Sequence, residues 1–312
     1  MNTITRLNQE IVNPFSGTFD NTPLDFNVEE AEVYVNRYSN QDPWASKDKK
    51  AVLKVTNEGI VEDWWIVGRD YPVKSHRKFY TSIEEQIVEN MDPNHTKNVQ
   101  VKTSVARNGR WGLRDYTFPG IQVPIETRQG FKTTVSLRIV AWSGLDGLTA
   151  NNYMVGAIDN YCLNGMVFTQ SVNKDTAYTK GYKRNTKNFD VDNFATYLSK
   201  ATDIFYEQTD QYQKMATTGL GLTHGEAFID RMKMSDKKKE GIKQLYAMEV
   251  VDRGSNVFAL HSALTNYSSH ANTRLFTSRT TKNDIKSESM FKREEEVSKV
   301  FSSNSWSELI AA

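Results

Sequence analysis

Cysteine is almost missing: Cys162 is the only one in 312 residues. That excludes an intrachain disulfide and a thiolate metal cluster built by one chain, and it fits a reducing compartment. Long apolar runs are also missing. No stretch approaches the roughly 20 apolar residues needed to span a bilayer. Met1 to Asn13 has neither the basic start nor the apolar core of a signal peptide, so the expectation is a cytoplasmic protein without a membrane partner. An excess of one charge is lacking too. The 39 basic residues stand against 38 acidic ones, and the net charge of +1 excludes a polybasic protein while leaving local patches open.

Several catalytic signatures are absent. There is no Walker A loop, and Gly219-Leu220-Gly221-Leu222-Thr223-His224-Gly225 has neither the spacing nor the preceding strand of a dinucleotide fingerprint. The five histidines show no HExxH or paired zinc-ligand spacing, and no G-x-S-x-G elbow occurs. Cys162 falls on an apolar stripe, as a buried inert thiol does. No catalytic residue, metal ligand or cofactor is assigned.

What the chain does have is a globular balance, 38% hydrophobic and 25% charged. Residues 1–50 are polar, are punctuated by Pro14, Pro23 and Pro43, and are expected to form an arm or irregular cap. Residues 51–188 are expected to be an α+β core. Within it, Ala51 to Thr56 and Asp63 to Gly68 look like strands around Asn57-Glu58-Gly59, with Trp64 and Trp65 in the core. Thr81 and Glu84 have capping-box spacing for a helix that Pro93 ends.

Two alternating runs meet at Asn108-Gly109, the dipeptide that best tolerates the positive backbone angles of a hairpin turn. That turn fixes a register. It opposes Arg107 to Arg110, Val105 to Gly112, Thr103 to Arg114 and Val101 to Tyr116 on one face. On the other it opposes Ala106 to Trp111, Ser104 to Leu113, Lys102 to Asp115 and Gln100 to Thr117. A third strand, Lys132 to Trp142, turns Thr133, Val135, Leu137, Ile139 and Ala141 to the core, leaving Lys132, Thr134, Ser136, Arg138 and Val140 opposite. Tyr153, Ala157 and Tyr161 recur at spacing four, as do Met154, Ile158 and Cys162, which predicts a helix closing on Asn164-Gly165. The expected core is therefore an antiparallel sheet with a protruding hairpin and a packed helix, in the order β-β-β-α.

Residues 189–267 read as helical. Asp190 or Asp192 caps a stripe of Val191, Phe194, Leu198, Ala201, Phe205, Tyr212 and Met215, broken by Gln208. Gly225 to Met234, Lys239 to Val250 and the run Val257 to Tyr267 continue the helical pattern. Residues 268–312 read as a polar linker from Ser268 to Ser289 and a terminal helix from Glu294 to Ile310.

Between Lys97 and Val140 eight basic residues stand against Asp115 and Glu126, and between Lys174 and Lys187 five stand against Asp175. A cationic groove interleaved with aromatics is how proteins hold single strands, each stacked base contributing roughly 1–3 kcal/mol. The candidate nucleic-acid-binding residues are Lys102, Arg107, Arg110, Trp111, Arg114, Lys132 and Arg138, with Lys180, Lys183 and Arg184 in the second segment.

The segment Ser136 to Gly147, with Ser143-Gly144-Leu145-Asp146-Gly147 as its turn, followed by Asp159-Asn160-Tyr161-Cys162-Leu163-Asn164-Gly165, resembles the phage and plasmid family called domain of unknown function 932. The late segment Asn256 to Tyr267 is similar to that family's N-A-x-T-x-Y stretch. The resemblance covers roughly residues 60 to 270 and implies a phage or mobile-element origin. The expected topology is also similar to the core of phage single-strand annealing proteins, which form rings and hold DNA in a basic groove without a catalytic residue.

The leading expectation is thus a phage-encoded, oligomeric protein that binds and anneals single-stranded DNA without catalysis, as a ring or filament. The alternative is a non-enzymatic interaction protein that modulates a host factor through the hairpin tip. A metal-dependent nuclease using Asp146, Asp159 and Asp175 ranks third.

Overall fold

The computed structural model describes residues 13–36, 42–56, 58–149, 151–161, 164–167, 191–270 and 283–311. Strands β1 (Asn27–Val35), β2 (Trp44–Val55) and β3 (Val61–Gly68) pair antiparallel in that order. Among the described residues, the stretch expected to be an arm therefore supplies β1 and the start of β2. The acidic residues of β1 find cations: Lys50 Nζ lies 2.7 Å from Glu30 and Arg69 Nη2 lies 2.7 Å from Glu32. Alternation splits the two tryptophans. Trp65 (5% exposed) faces in with Val52 and Val67 against Leu145, and donates its Nε1–H to the Leu145 carbonyl at 2.7 Å. Trp64 faces out and is 58% exposed, so only one of the pair is core.

Helix α1 (His76–Asn90) starts earlier than the capping-box spacing predicts. Ser75 caps it, accepting from the Lys78 amide, and leaves Thr81 inside the helix. Its buried face is Phe79, Tyr80, Ile83, Glu84 and Ile87. Pro93 then opens a single turn, α2 (Pro93–Thr96), because proline needs no amide at a first helical position.

A second sheet is an antiparallel meander of β4 (Gln100–Ala106), β5 (Trp111–Glu126), β6 (Lys132–Gly144), β7 (Asn152–Asp159) and β8 (Asn164–Val167). The β4–β5 register is the one that Asn108-Gly109 dictates, from Gln100 opposite Thr117 to Ala106 opposite Trp111. Pairing stops at Ala106–Trp111, so the connection is four residues rather than two and Arg107 does not pair with Arg110 as a ladder rung: Arg107 (φ 54°), Asn108 (φ 55°) and Gly109 (φ 87°) all take positive angles, and the Arg110 amide closes on the Arg107 carbonyl at 3.1 Å.

The helix expected from Tyr153 to Cys162 is instead the strand β7; Cys162 itself lies outside the described residues. Tyr153, Val155 and Ala157 join the main core while Met154 faces the other side. A spacing of four is even, so it fits a strand as well as a helix. A strand buried on both faces has no polar alternation to break the tie.

The remaining described elements are helices: α3 (Val191–Thr217), α4 (Leu222–Arg231), α5 (Asp236–Arg253), α6 (Val257–His270), α7 (Asn283–Phe301) and α8 (Asn304–Ala311). The stripe Phe194, Leu198, Ala201, Phe205, Tyr212 and Met215 is buried, and Gln208 with it. Helices α1 and α3 cover the sheet side that carries Val135, Leu137, Ile139 and Ala141. The fold class is α+β.

The terminal helix is two helices; of the expected linker from Ser268 to Ser289, both ends are helical, since α6 runs to His270 and α7 starts at Asn283, and residues 271–282 lie outside the described residues. Val297, Phe301 and Trp306 are buried in the main core, Phe301 and Trp306 beside His261. Helix α7 packs on α6 and along β4 and its turn. No helix among the described residues is long and apolar enough to cross a membrane.

Candidate functional site

The hairpin tip does not protrude into solvent; the three-stranded sheet and the β6–β7 loop clasp it. Arg107 Nη1 meets Asp146 Oδ2 at 2.8 Å and Thr149 Oγ1 at 3.1 Å. Arg110 forks onto Asp63, with Nη2 2.9 Å from Oδ2 and 3.0 Å from Oδ1, and stacks over Trp65 at 5.1 Å. Burial works against the Asp63 charge, but Arg110, the Trp64 amide and Asn108 outweigh it and hold this carboxyl below the usual range. Arg110 thus joins the two sheets and Arg107 ties the hairpin turn to the β6–β7 loop of its own sheet, which corrects the expectation of an open cationic tip.

Arg114 is fully buried. Strand parity turns it toward α1, where it pairs with Glu84, whose other partner is the Tyr116 hydroxyl at 2.9 Å. Burial pushes the Glu84 carboxyl up, against the pull of Arg114 and Tyr116. Trp111 is 1% exposed, in a cluster with Ala106, Leu113, Val140, Trp142 and Met154, and offers no face to a base.

Arg138 is buried as well. Its Nε and Nη2 grip Asp115 at 2.7–3.0 Å and its Nη1 reaches Glu294 of α7 at 3.1 Å. The ion pair expected between Lys102 and Asp115 is therefore replaced by one to Arg138. The sheet face expected to carry cations in solvent is covered by α7.

Of the expected site residues, Lys102 and Lys132 remain exposed. Lys180, Lys183 and Arg184 lie outside the described residues, as does Asp175. Asp146 lies beyond one end of the β6–β7 pairing and Asp159, opposite Val135, closes the other; they are held by Arg107 and Arg253 respectively, so they do not converge on one ion. No group of three or more His, Cys, Asp or Glu residues is placed to hold a metal among the described residues.

Around Lys132 the structure assembles something else. Tyr161, just past β7, is 59% exposed and meets Phe131 edge-on at 5.0 Å. Below both rings lies Arg253, the last residue of α5. Its guanidinium is 4.5 Å from the Phe131 centroid and 5.4 Å from that of Tyr161. Arg253 is itself fixed by Asp159 (2.9 Å) and Glu249 (2.6 Å), and Thr133 and the Tyr161 amide donate to Asp159. Arg128 in the β5–β6 turn and Lys132 at the start of β6 are exposed, Lys132 with its Nζ 3.2 Å from Glu126.

This is a small cationic surface with one presented aromatic ring. Tyr161 was hidden in the sequence by its place in an apparent helical stripe. Reading Asp159-Asn160 as a strand end would have exposed it. No protein-family model matches the chain, and no curated protein or solved structure matches it either.

Proposed function

We propose that the chain is a non-catalytic, phage-encoded protein that binds and anneals single-stranded DNA as a homo-oligomer in the host cytoplasm. One observation supports the DNA contact: Tyr161 presents an exposed ring, braced by Phe131 and Arg253, and Arg128 and Lys132 flank Phe131 in sequence, both exposed, Lys132 in a solvent-exposed pair with Glu126. Stacking on such a ring tolerates any base, while the flanking cations take phosphates. The phage origin rests on the resemblance to domain of unknown function 932, and the part played in recombination or replication on the likeness of topology to single-strand annealing proteins. The alternative, a modulator of a host factor acting through the hairpin tip, is disfavoured because Arg107 and Arg110 are engaged inside the molecule.

The test is binding of a fluorescent oligonucleotide at two salt concentrations. Affinity is expected to fall steeply with salt, because phosphate contacts release counterions. It is expected to fall further when Arg128, Lys132 and Tyr161 are changed together to Ala. No affinity for single strands at low salt would sink the reading, and salt-independent binding would favour a protein partner.

A further inference from the structure

Seven of the thirteen large hydrophobic side chains exposed among the described residues fall between Tyr34 and Ile66. The concentration lies on and around the three-stranded sheet, and its best-defined part is the outward face. Register puts Glu29, Leu53 and Trp64 in one row, Ala31, Ala51 and Ile66 in the next, and Lys49 beside Gly68 in the one after. Trp64 is 58% and Ile66 46% exposed. Contiguous apolar surface of this kind on a folded chain marks an interaction site.

The charges say which partner fits. Glu29 at one end and Lys49 at the other are both exposed, and neither forms an ion pair among the described residues. An apolar middle with an acid at one end and a base at the other is complementary to itself. A two-fold axis through the Ala51 row, perpendicular to the strands, turns the Glu29 end of one copy onto the Lys49 end of another. The apolar rows then pack face to face at the roughly 10 Å separation of stacked sheets. An interface built on a two-fold axis uses the same patch twice, as most soluble homo-oligomers do.

We propose that this face is a subunit interface and that its occupant is a second copy of the chain. The contact is independent of the Tyr161 surface, so its failure and the failure of DNA binding are separate results. It supplies a dimer contact through the three-stranded sheet, leaving the β5–β6 turn of each subunit open.

The test is the mass of the full chain by sedimentation equilibrium over a concentration series. Wild type is expected to double in mass as concentration rises. Trp64→Ser with Ile66→Ser is expected to remain at the monomer mass, with an unchanged far-ultraviolet circular dichroism spectrum because both side chains are exposed. Lys49→Glu is expected to weaken the dimer by setting acid against acid, and adding Glu29→Lys is expected to restore it. The exchange is diagnostic, since restoration requires the two residues to meet across the interface. A wild-type chain that stays monomeric, or an assembly that survives Trp64→Ser with Ile66→Ser, overturns the proposal. So does loss of assembly in Lys49→Glu that Glu29→Lys fails to reverse.

Discussion

Arg138 of β6 and Glu294 of α7, 156 positions apart, meet at 3.1 Å in the protein interior, although Asp115 already holds the same guanidinium by three contacts. Two carboxylates thus share one buried cation, and the Glu294 Oε2 atom has no hydrogen-bond partner among the described residues. Burial, the first cause, pushes the Glu294 carboxyl up; Arg138 pulls it down without prevailing, and Asp115 adds repulsion.

That imbalance makes the two partners unequal under mutation. A carboxyl raised in the folded state favours folding while it is protonated, and that contribution is lost as pH rises past the ordinary carboxylate range. Glu294→Gln is therefore expected to hold or raise the chemical-denaturation midpoint at pH 7 and to flatten its dependence on pH. Arg138→Gln leaves Asp115 and Glu294 without their cation and is expected to cost about 3–5 kcal/mol in the same measurement.

Two buried histidines give the fold an acid limit. Burial holds His76 down at about 4 and His261 down at about 3; the Gly109 carbonyl, 2.7 Å from His76 Nε2, only partly offsets this for His76, and Arg253 adds to it for His261. Both protonate more readily in the unfolded chain, so their contribution is complete above pH 6.5 and is lost as pH falls toward 4. On the scale of 1.36 kcal/mol per pH unit this is worth about 3 kcal/mol for His76 and about 5 kcal/mol for His261 at the acid end. His261 stacks on Phe301 at 4.6 Å, so His261→Phe is expected to preserve the packing and to move the acid unfolding midpoint to lower pH.

Gly225 reverses the usual effect of alanine in a helix. Its missing Cβ would lie 2.2 Å from the Tyr246 ring, whose hydroxyl also donates to the Leu220 carbonyl at 3.2 Å. Gly225→Ala is expected to destabilise by about 1–3 kcal/mol through overpacking, despite its better helix propensity. Thermal melts of the variant and of Gly225→Ala with Tyr246→Leu test this, the second change being expected to recover part of the loss.

The Arg110–Asp63 fork is half-exposed and joins the two sheets. A double-mutant cycle with Arg110→Ala and Asp63→Asn is expected to give a coupling of about 1 kcal/mol that shrinks with added salt. Hydrogen exchange in β3 is expected to quicken in either single variant.

Local chemistry made much of this fold readable. Asn108-Gly109 dictated the hairpin register from Gln100–Thr117 to Ala106–Trp111, the alternation in Lys132 to Trp142 identified the core residues of β6, and the stripe from Phe194 to Met215 gave α3. What stayed hidden depended on distant partners. Arg107, Arg110, Arg114 and Arg138 look like solvated cations because their acids, Asp146, Asp63, Glu84 and Glu294, lie far along the chain. Strand β7 escaped because it is buried on both faces, and β1 because its glutamates mask an edge strand. The Tyr161 surface escaped for both reasons: its strand was misread and Arg253 comes from a helix 92 positions later.

The Arg138–Glu294 contact also imposes an order on synthesis. At about 5–20 residues per second, the ribosome makes Arg138 about 8–30 s before Glu294. During that interval Asp115, 23 positions away, is the acid at hand to neutralise the guanidinium. The sheet can thus be assembled on the emerging chain with its central cation already paired, while its second face stays uncovered until the last helices are made. A ribosome stalled before α7 would hold a sheet whose Arg138 is paired with Asp115 alone and whose β4 edge is still open to whatever binds it first.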